Sequence, residues 1–239
     1  MKVRELFEDD GAIDPHAMHD LFSDKNPDIK KINNMDEFVE RIQTNCSQIV
    51  DVYRKAGGIL FRGLQGTRSM FSVQTAIRAD RKPVDMSASW HEDLHKAFLD
   101  YGLTATRKNS IFCTTDDNVA DSWGKAYIIF PFNGWKATVF KESAYEYSFH
   151  KLNDLDHEVD DNASAAEKYE AIEKVLMELD AVAIESPGQL IPIIEDGYKE
   201  VLISGSSYIA MRLGPKACND VLKKLGIEIK ISAQKNMLS

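Results

Sequence analysis

Apolar positions along the chain follow two rhythms. From Asn34 onward, Phe38, Ile42, Ile49 and Tyr53 recur near helical spacing until Gly57-Gly58, which predicts a helix with Asn34 as cap and Asp36 and Glu37 at its positive end. Further helices are predicted over residues 89–102, with Trp90, Leu94, Phe98 and Tyr101 on one face, and over 163–179, with Tyr169, Ile172, Val175, Leu176 and Leu179. Short helices are expected at 117–124 and 216–224. Strand-like runs occupy 59–64, 110–114, 127–132, 135–140 after the turn Asn133-Gly134, 181–184, 201–204, 208–212 and 227–231. Residues 1–33 read as an arm or short helices laid over the body, and the acidic stretch 153–161 as a solvated loop.

Strands mixed with helices, without regular βαβ alternation, predict an α+β fold. The 239 residues suit one large domain, with residues 1–56 as a helical N-terminal segment packed on the body and 57–239 as the body itself. A composition 44% hydrophobic and 28% charged is that of an ordinary globular protein. The formal net charge of −9 argues against bulk nucleic-acid binding but leaves room for a local basic patch. Cys46, Cys113 and Cys218 are few, odd in number and widely spaced, which suits a reducing compartment. The N-terminus lacks the apolar core of a signal peptide and no apolar run is long enough for a span, so the expected location is cytoplasmic, with no membrane partner.

Two charges interrupt apolar strands. Arg62 lies in Gly58-Ile59-Leu60-Phe61-Arg62-Gly63-Leu64, and Glu200 in Tyr198-Lys199-Glu200-Val201-Leu202-Ile203. Strands bury alternate side chains and repel charge, so a shared site is one explanation and a structural buried ion pair is another. Neither a GxGxxG fingerprint nor a GxxxxGK[ST] loop is present.

Three segments in order carry a resemblance: Leu60-Phe61-Arg62-Gly63, Phe112-Cys113-Thr114-Thr115-Asp116 and Lys199-Glu200-Val201-Leu202-Ile203. Together they resemble the arginine/serine/glutamate clade of the mono-ADP-ribosyltransferases, with Thr114 and Thr115 in place of the first serine and the threonine of a Ser-Thr-Ser motif and Asp116 in place of the last serine. The helix with His91, Leu94 and Phe98, and the run Ile129-Phe130-Pro131, are similar to phage-encoded members. The resemblance implies an α+β fold of two packed, mostly antiparallel sheets around an NAD cleft, with a helical N-terminal lobe. It implies NAD as substrate, ADP-ribose transfer to a protein or nucleic-acid acceptor, and release of nicotinamide.

On that resemblance Glu200 is the catalytic carboxylate, supported by Thr114, and Arg62 holds the NAD phosphates, with Phe61, Gly63, Thr115 and His91 also at the NAD. The chemistry asks for such groups: cleaving the nicotinamide–ribose bond builds positive charge on the sugar, which a carboxylate stabilises, and a guanidinium grips phosphate through two parallel bonds. Tyr198 stands two residues before Glu200, where arginine-modifying members carry a second glutamate. A phenol is a poor base at neutral pH, so the acceptor is left open between another side chain, a nucleic-acid base and water.

Two other readings compete. His91-Glu92-Asp93-Leu94-His95 matches HExxH, whose histidines one turn apart bind zinc while the glutamate activates water, although no third ligand stands out. A catalytically inactive binding or virion protein could also keep the same fold.

Overall fold

Local chemistry sets the helix starts. Asn34 accepts from the backbone N–H groups of Asp36 (2.9 Å) and Glu37 (3.5 Å) and opens α1, Met35–Asn45. The predicted single helix then breaks at Cys46, and α2 runs over Ser47–Ala56 until Gly57 adopts a left-handed conformation (φ 66°). The break comes from a distant turn: the Asn133 side chain accepts from the Gln48 N–H at 3.0 Å, the Asn133 N–H donates to the Asn45 carbonyl at 2.6 Å, and the Cys46 thiol meets the Phe130 carbonyl at 3.3 Å. No sequence window around residue 46 contains those partners.

The computed structural model describes residues 30–31, 34–64, 72–83, 86–141, 147–160, 163–197, 199–212 and 216–229. Most of the predicted arm, residues 230–231 of the predicted strand and Tyr198 lie outside the described residues; the described part of that strand, 227–229, is corrected, since it joins no sheet and the Ile227 N–H donates instead to the Leu222 carbonyl at 2.9 Å. The strands are β1 (Lys30–Lys31), β2 (Phe61–Leu64), β3 (Ser72–Ala76), β4 (Ser110–Thr114), β5 (Lys125–Pro131), β6 (Lys136–Phe140), β7 (Ala181–Ile184), β8 (Glu200–Ser204) and β9 (Ser207–Arg212). The remaining helices are α3 (Ala88–Asp100), α4 (Asp117–Ser122), α5 (Tyr147–Glu158), α6 (Ala165–Glu178), α7 (Leu190–Asp196) and α8 (Lys216–Lys224), with a 3-10 turn at Pro187–Gln189. The α+β class is as the sequence indicates.

The expectation of two packed sheets is corrected. Among the described residues all strands join one open antiparallel sheet in the order β1-β3-β9-β5-β2-β4-β8-β6-β7, which is eight-stranded if the two-residue β1 is set aside. Both faces of this sheet are covered by helices, so its apolar surface needs no second sheet. Alternation sorts the side chains: Ile111, Cys113, Ala137, Val139, Val201 and Ile203 enter a core shared with α1, α2, α7 and α8, and Phe140 and Leu202 enter a second core with α3, α5 and α6.

The acidic stretch 153–161 is corrected too. Most of it belongs to α5, because Leu152 and Leu155 lie one turn apart and are buried against the second core. Strand β3 was hidden by its short polar sequence, Ser-Val-Gln-Thr-Ala, and is held by pairing along its length with β9.

Candidate functional site

Strand β4 is the centre of the site. On one side it pairs along its whole length with β8, Ser110 opposite Ser204 through to Thr114 opposite Glu200. On the other side it meets β2 at one register position, Phe61 opposite Thr114, while the other edge of β2 pairs with β5 from Phe61–Ile128 to Leu64–Lys125. β2 therefore parts from β4 between Cys113 and Ser110, and Thr114 and Glu200 sit side by side at the closed end, where the two strands still meet.

Two β4 carbonyls facing the split are taken by guanidinium groups. Arg62 Nη1 donates to the Phe112 carbonyl at 3.1 Å, and Arg81 Nη1 donates to the Ser110 carbonyl at 2.9 Å. Arg62 Nε is buried and has no hydrogen-bond partner among the described residues. Such an orphaned donor costs free energy unless a ligand or water takes it, which marks Arg62 as a group suited to an acceptor that enters the split. Arg81 and Arg107 both lie over the Phe112 ring, at 5.2 and 5.6 Å from its centroid, and Arg107 also donates to the Asn153 side chain at 2.7 Å.

Glu200 is 6% exposed and opens β8, with Thr114 opposite on β4 and Phe140 opposite on β6. Its backbone is fixed from the residue before it: the Lys199 N–H donates to Thr115 Oγ1 at 2.9 Å, and the Thr115 N–H donates to the Lys199 carbonyl at 3.2 Å. Thr115, expected at the cofactor, is thus seen anchoring the start of β8. The Lys199 ammonium pairs with Asp196 at 3.1 Å and also donates to the Lys141 carbonyl, which ties the end of α7 to the sheet.

Thr114 Oγ1 accepts from the Asp116 N–H at 3.1 Å. Asp116 in turn caps α4, accepting from the N–H groups of Asn118 (2.8 Å) and Val119 (3.3 Å). Serine and aspartate are interchangeable as caps, so the departure from a terminal serine in this motif keeps the local structure.

Gly63 has a packing role. A Cβ there would lie 2.3 Å from the Ala120 carbonyl oxygen and 2.7 Å from the Trp123 backbone, so only glycine lets α4 close on β2. Phe61 is fully buried in the first core. The structure brings Phe61, Arg62, Thr114, Thr115 and Glu200 to one joint of the sheet, with Gly63 beside it.

His91 lies on the first turn of α3, buried, in the field of Arg107, Lys108 and Arg81. Burial first, and Arg107 next, push its pKa below the ordinary 6.5, so it is neutral at pH 7. The rest of the HExxH motif is engaged elsewhere. Glu92 forms an ion pair with Lys108, which holds its carboxyl below the usual range, and His95 Nδ1 shares a 2.8 Å hydrogen bond with Thr106 Oγ1. Among the described residues no three His, Cys, Asp or Glu side chains converge to hold a metal ion.

Sequence reasoning missed Arg81, Arg107 and Phe112 as site residues. Arg81 belonged to a visible basic run with Arg78 and Lys82; Arg107 carried no signal, because only the fold brings it over Phe112. No helix among the described residues is long and apolar enough to cross a membrane. Comparison of the chain with protein-family models, with curated proteins and with solved structures finds no match in any of the three.

Proposed function

We propose that the chain is an NAD-dependent ADP-ribosyltransferase that releases nicotinamide and passes ADP-ribose to a macromolecular acceptor. The observation that carries this reading is the pairing of Thr114 with Glu200 at the apex from which β2 and β4 part, with Arg62 reaching across the opening to the Phe112 carbonyl. A carboxylate held at the apex of a split can stabilise the positive charge that grows on ribose as nicotinamide departs. A guanidinium with a buried unused N–H suits a phosphate oxygen, since charge-assisted bonds are shorter and stronger than neutral ones.

Each residue then has a task. Glu200 faces the ribose and stabilises its developing charge. Thr114 and Thr115 fix the strands around that carboxylate, Thr115 through the Lys199 backbone. Arg62 binds phosphate, and neutral His91, in the field of Arg107, Lys108 and Arg81, serves as a hydrogen-bonding group that adds no charge. Gly63 keeps α4 against β2 so that the opening holds its shape.

The reading is tested by incubating purified chain and cell lysate with NAD labelled in the adenine ring. Label should become acid-insoluble only when the chain is present, with free nicotinamide formed in step. No nicotinamide release in any lysate, at enzyme concentrations well above trace, would sink the reading.

A further inference from the structure

We propose that the acceptor is a single-stranded nucleic acid, bound along a band of cations that continues the split away from Glu200; this rests on the transferase reading above. Phe112 lies two residues, and Ser110 four residues, along β4 from Thr114, so the Ser110 end is about 13 Å from the level of Glu200. Arg62 stands at the Phe112 level and Arg81 at the Ser110 level. Beyond them the loop carrying Arg78, Arg81 and Lys82 runs against the segment carrying Arg107 and Lys108, joined by the Arg81 N–H donating to the Lys108 carbonyl at 3.0 Å.

Arg78 and Lys82 are exposed. Among the described residues two of these cations are matched by carboxylates, Arg78 by Asp80 at 3.4 Å and Lys108 by Glu92, and Asp156 accepts from the Ser87 N–H and hydroxyl at 2.7 and 3.1 Å.

Three features favour a phosphate backbone over an acidic protein. The band is rich in arginine, whose planar fork matches phosphate oxygens bidentately. Arg62 and Arg81 stand at successive levels of β4 outward from the level of Glu200, as groups that meet successive phosphates would. The Phe112 ring has two guanidiniums over it, which directs recognition to the backbone and makes it indifferent to sequence. In a chain of net charge −9, such a band is also where a polyanion can approach.

The experiment measures fluorescence anisotropy of fluorescein-labelled RNA and DNA strands of about 20 mixed-sequence nucleotides, without NAD, across a salt series. The full chain should bind saturably at low salt, with affinity falling steeply as salt rises. In the double variant Arg78→Ala, Lys82→Ala, both exposed, affinity should drop about tenfold and the slope of log K against log salt should shrink by roughly 1.4, two contacts at about 0.7 each. NAD hydrolysis by that variant should stay at the wild-type rate.

Absence of binding, a salt slope unchanged in the variant, or equal competition by polyglutamate would overturn the proposal. So would transferred label that resists nuclease and yields to protease. Glu200→Gln separates the two readings: it should bind the strands like wild type while nicotinamide release is lost, so failure of strand binding leaves NAD cleavage standing, and the reverse.

Discussion

The two sides of β4 are built from the same residues and do opposite things. Toward β8 the ladder is continuous from Ser110 to Thr114, and the side chains it presents alternate between two apolar cores. Toward β2 it holds at Phe61–Thr114 only, and beyond that point β4 carbonyls are met by Arg62 and Arg81. A backbone acceptor must find a donor whether or not a neighbouring strand supplies one. Where a strand supplies it the result is core; where arginines supply it, charge is carried into the sheet and a site becomes possible.

Arg62 carries the largest expected effect on the open side of β4. Arg62→Ala removes the donor to Phe112 and the proposed phosphate contact, and we expect kcat/KM for NAD to fall about 10²-fold. Arg62→Lys should recover little, because an ammonium cannot serve the carbonyl and a phosphate with a fork. Wild-type kcat/KM in the alanine variant would show that the split is held by other groups.

Gly63→Ala tests whether α4 must close on β2 for the split to keep its shape. With a Cβ 2.3 Å from the Ala120 oxygen, this substitution should cost about 2–3 kcal/mol, read as a lowered midpoint in urea unfolding. A variant as stable as wild type would mean that the helix can slide off the strand freely.

The smallest effect belongs to His91 and sharpens the electrostatic side of the comparison. Its folded pKa is held below the ordinary 6.5, so as pH falls through 6.5 the unfolded chain takes up a proton that the folded chain refuses. Stability from this group is complete above 6.5 and is lost as pH falls toward the depressed folded value. His95, also depressed mainly by burial, adds the same sign. Urea midpoints at about pH 7.5 and about pH 5.5 should therefore differ more for wild type than for His91→Asn; an equal difference would mean that His91 is no more resistant to protonation in the folded state than in the unfolded one.

Much of the fold was legible where the signal is local. The cap Asn34, the stripe Trp90-Leu94-Phe98 and the strand 110–114 are local patterns, and the structure has them. The break at Cys46 was not legible, because its cause is Asn133, and neither was α5, whose acidic surface hid Leu152 and Leu155. For the site, Arg62 and Glu200 stood out as charges in apolar strands. The split between β2 and β4, and the convergence of Arg81 and Arg107 on Phe112, depend on pairing between distant segments and leave no mark in any one of them. The HExxH match fails to gather a metal site among the described residues for a related reason: Lys108 and Thr106, supplied by the fold, engage its glutamate and one histidine.

The most direct test of the central claim is the rate of nicotinamide release from NAD by the wild-type chain and by Glu200→Gln, measured on preparations matched in thermal unfolding midpoint. The glutamine keeps the size and hydrogen-bonding reach of the side chain and removes its charge. Wild type should release nicotinamide steadily and the variant about 10²–10³-fold more slowly. Equal rates in the two would contradict the central claim.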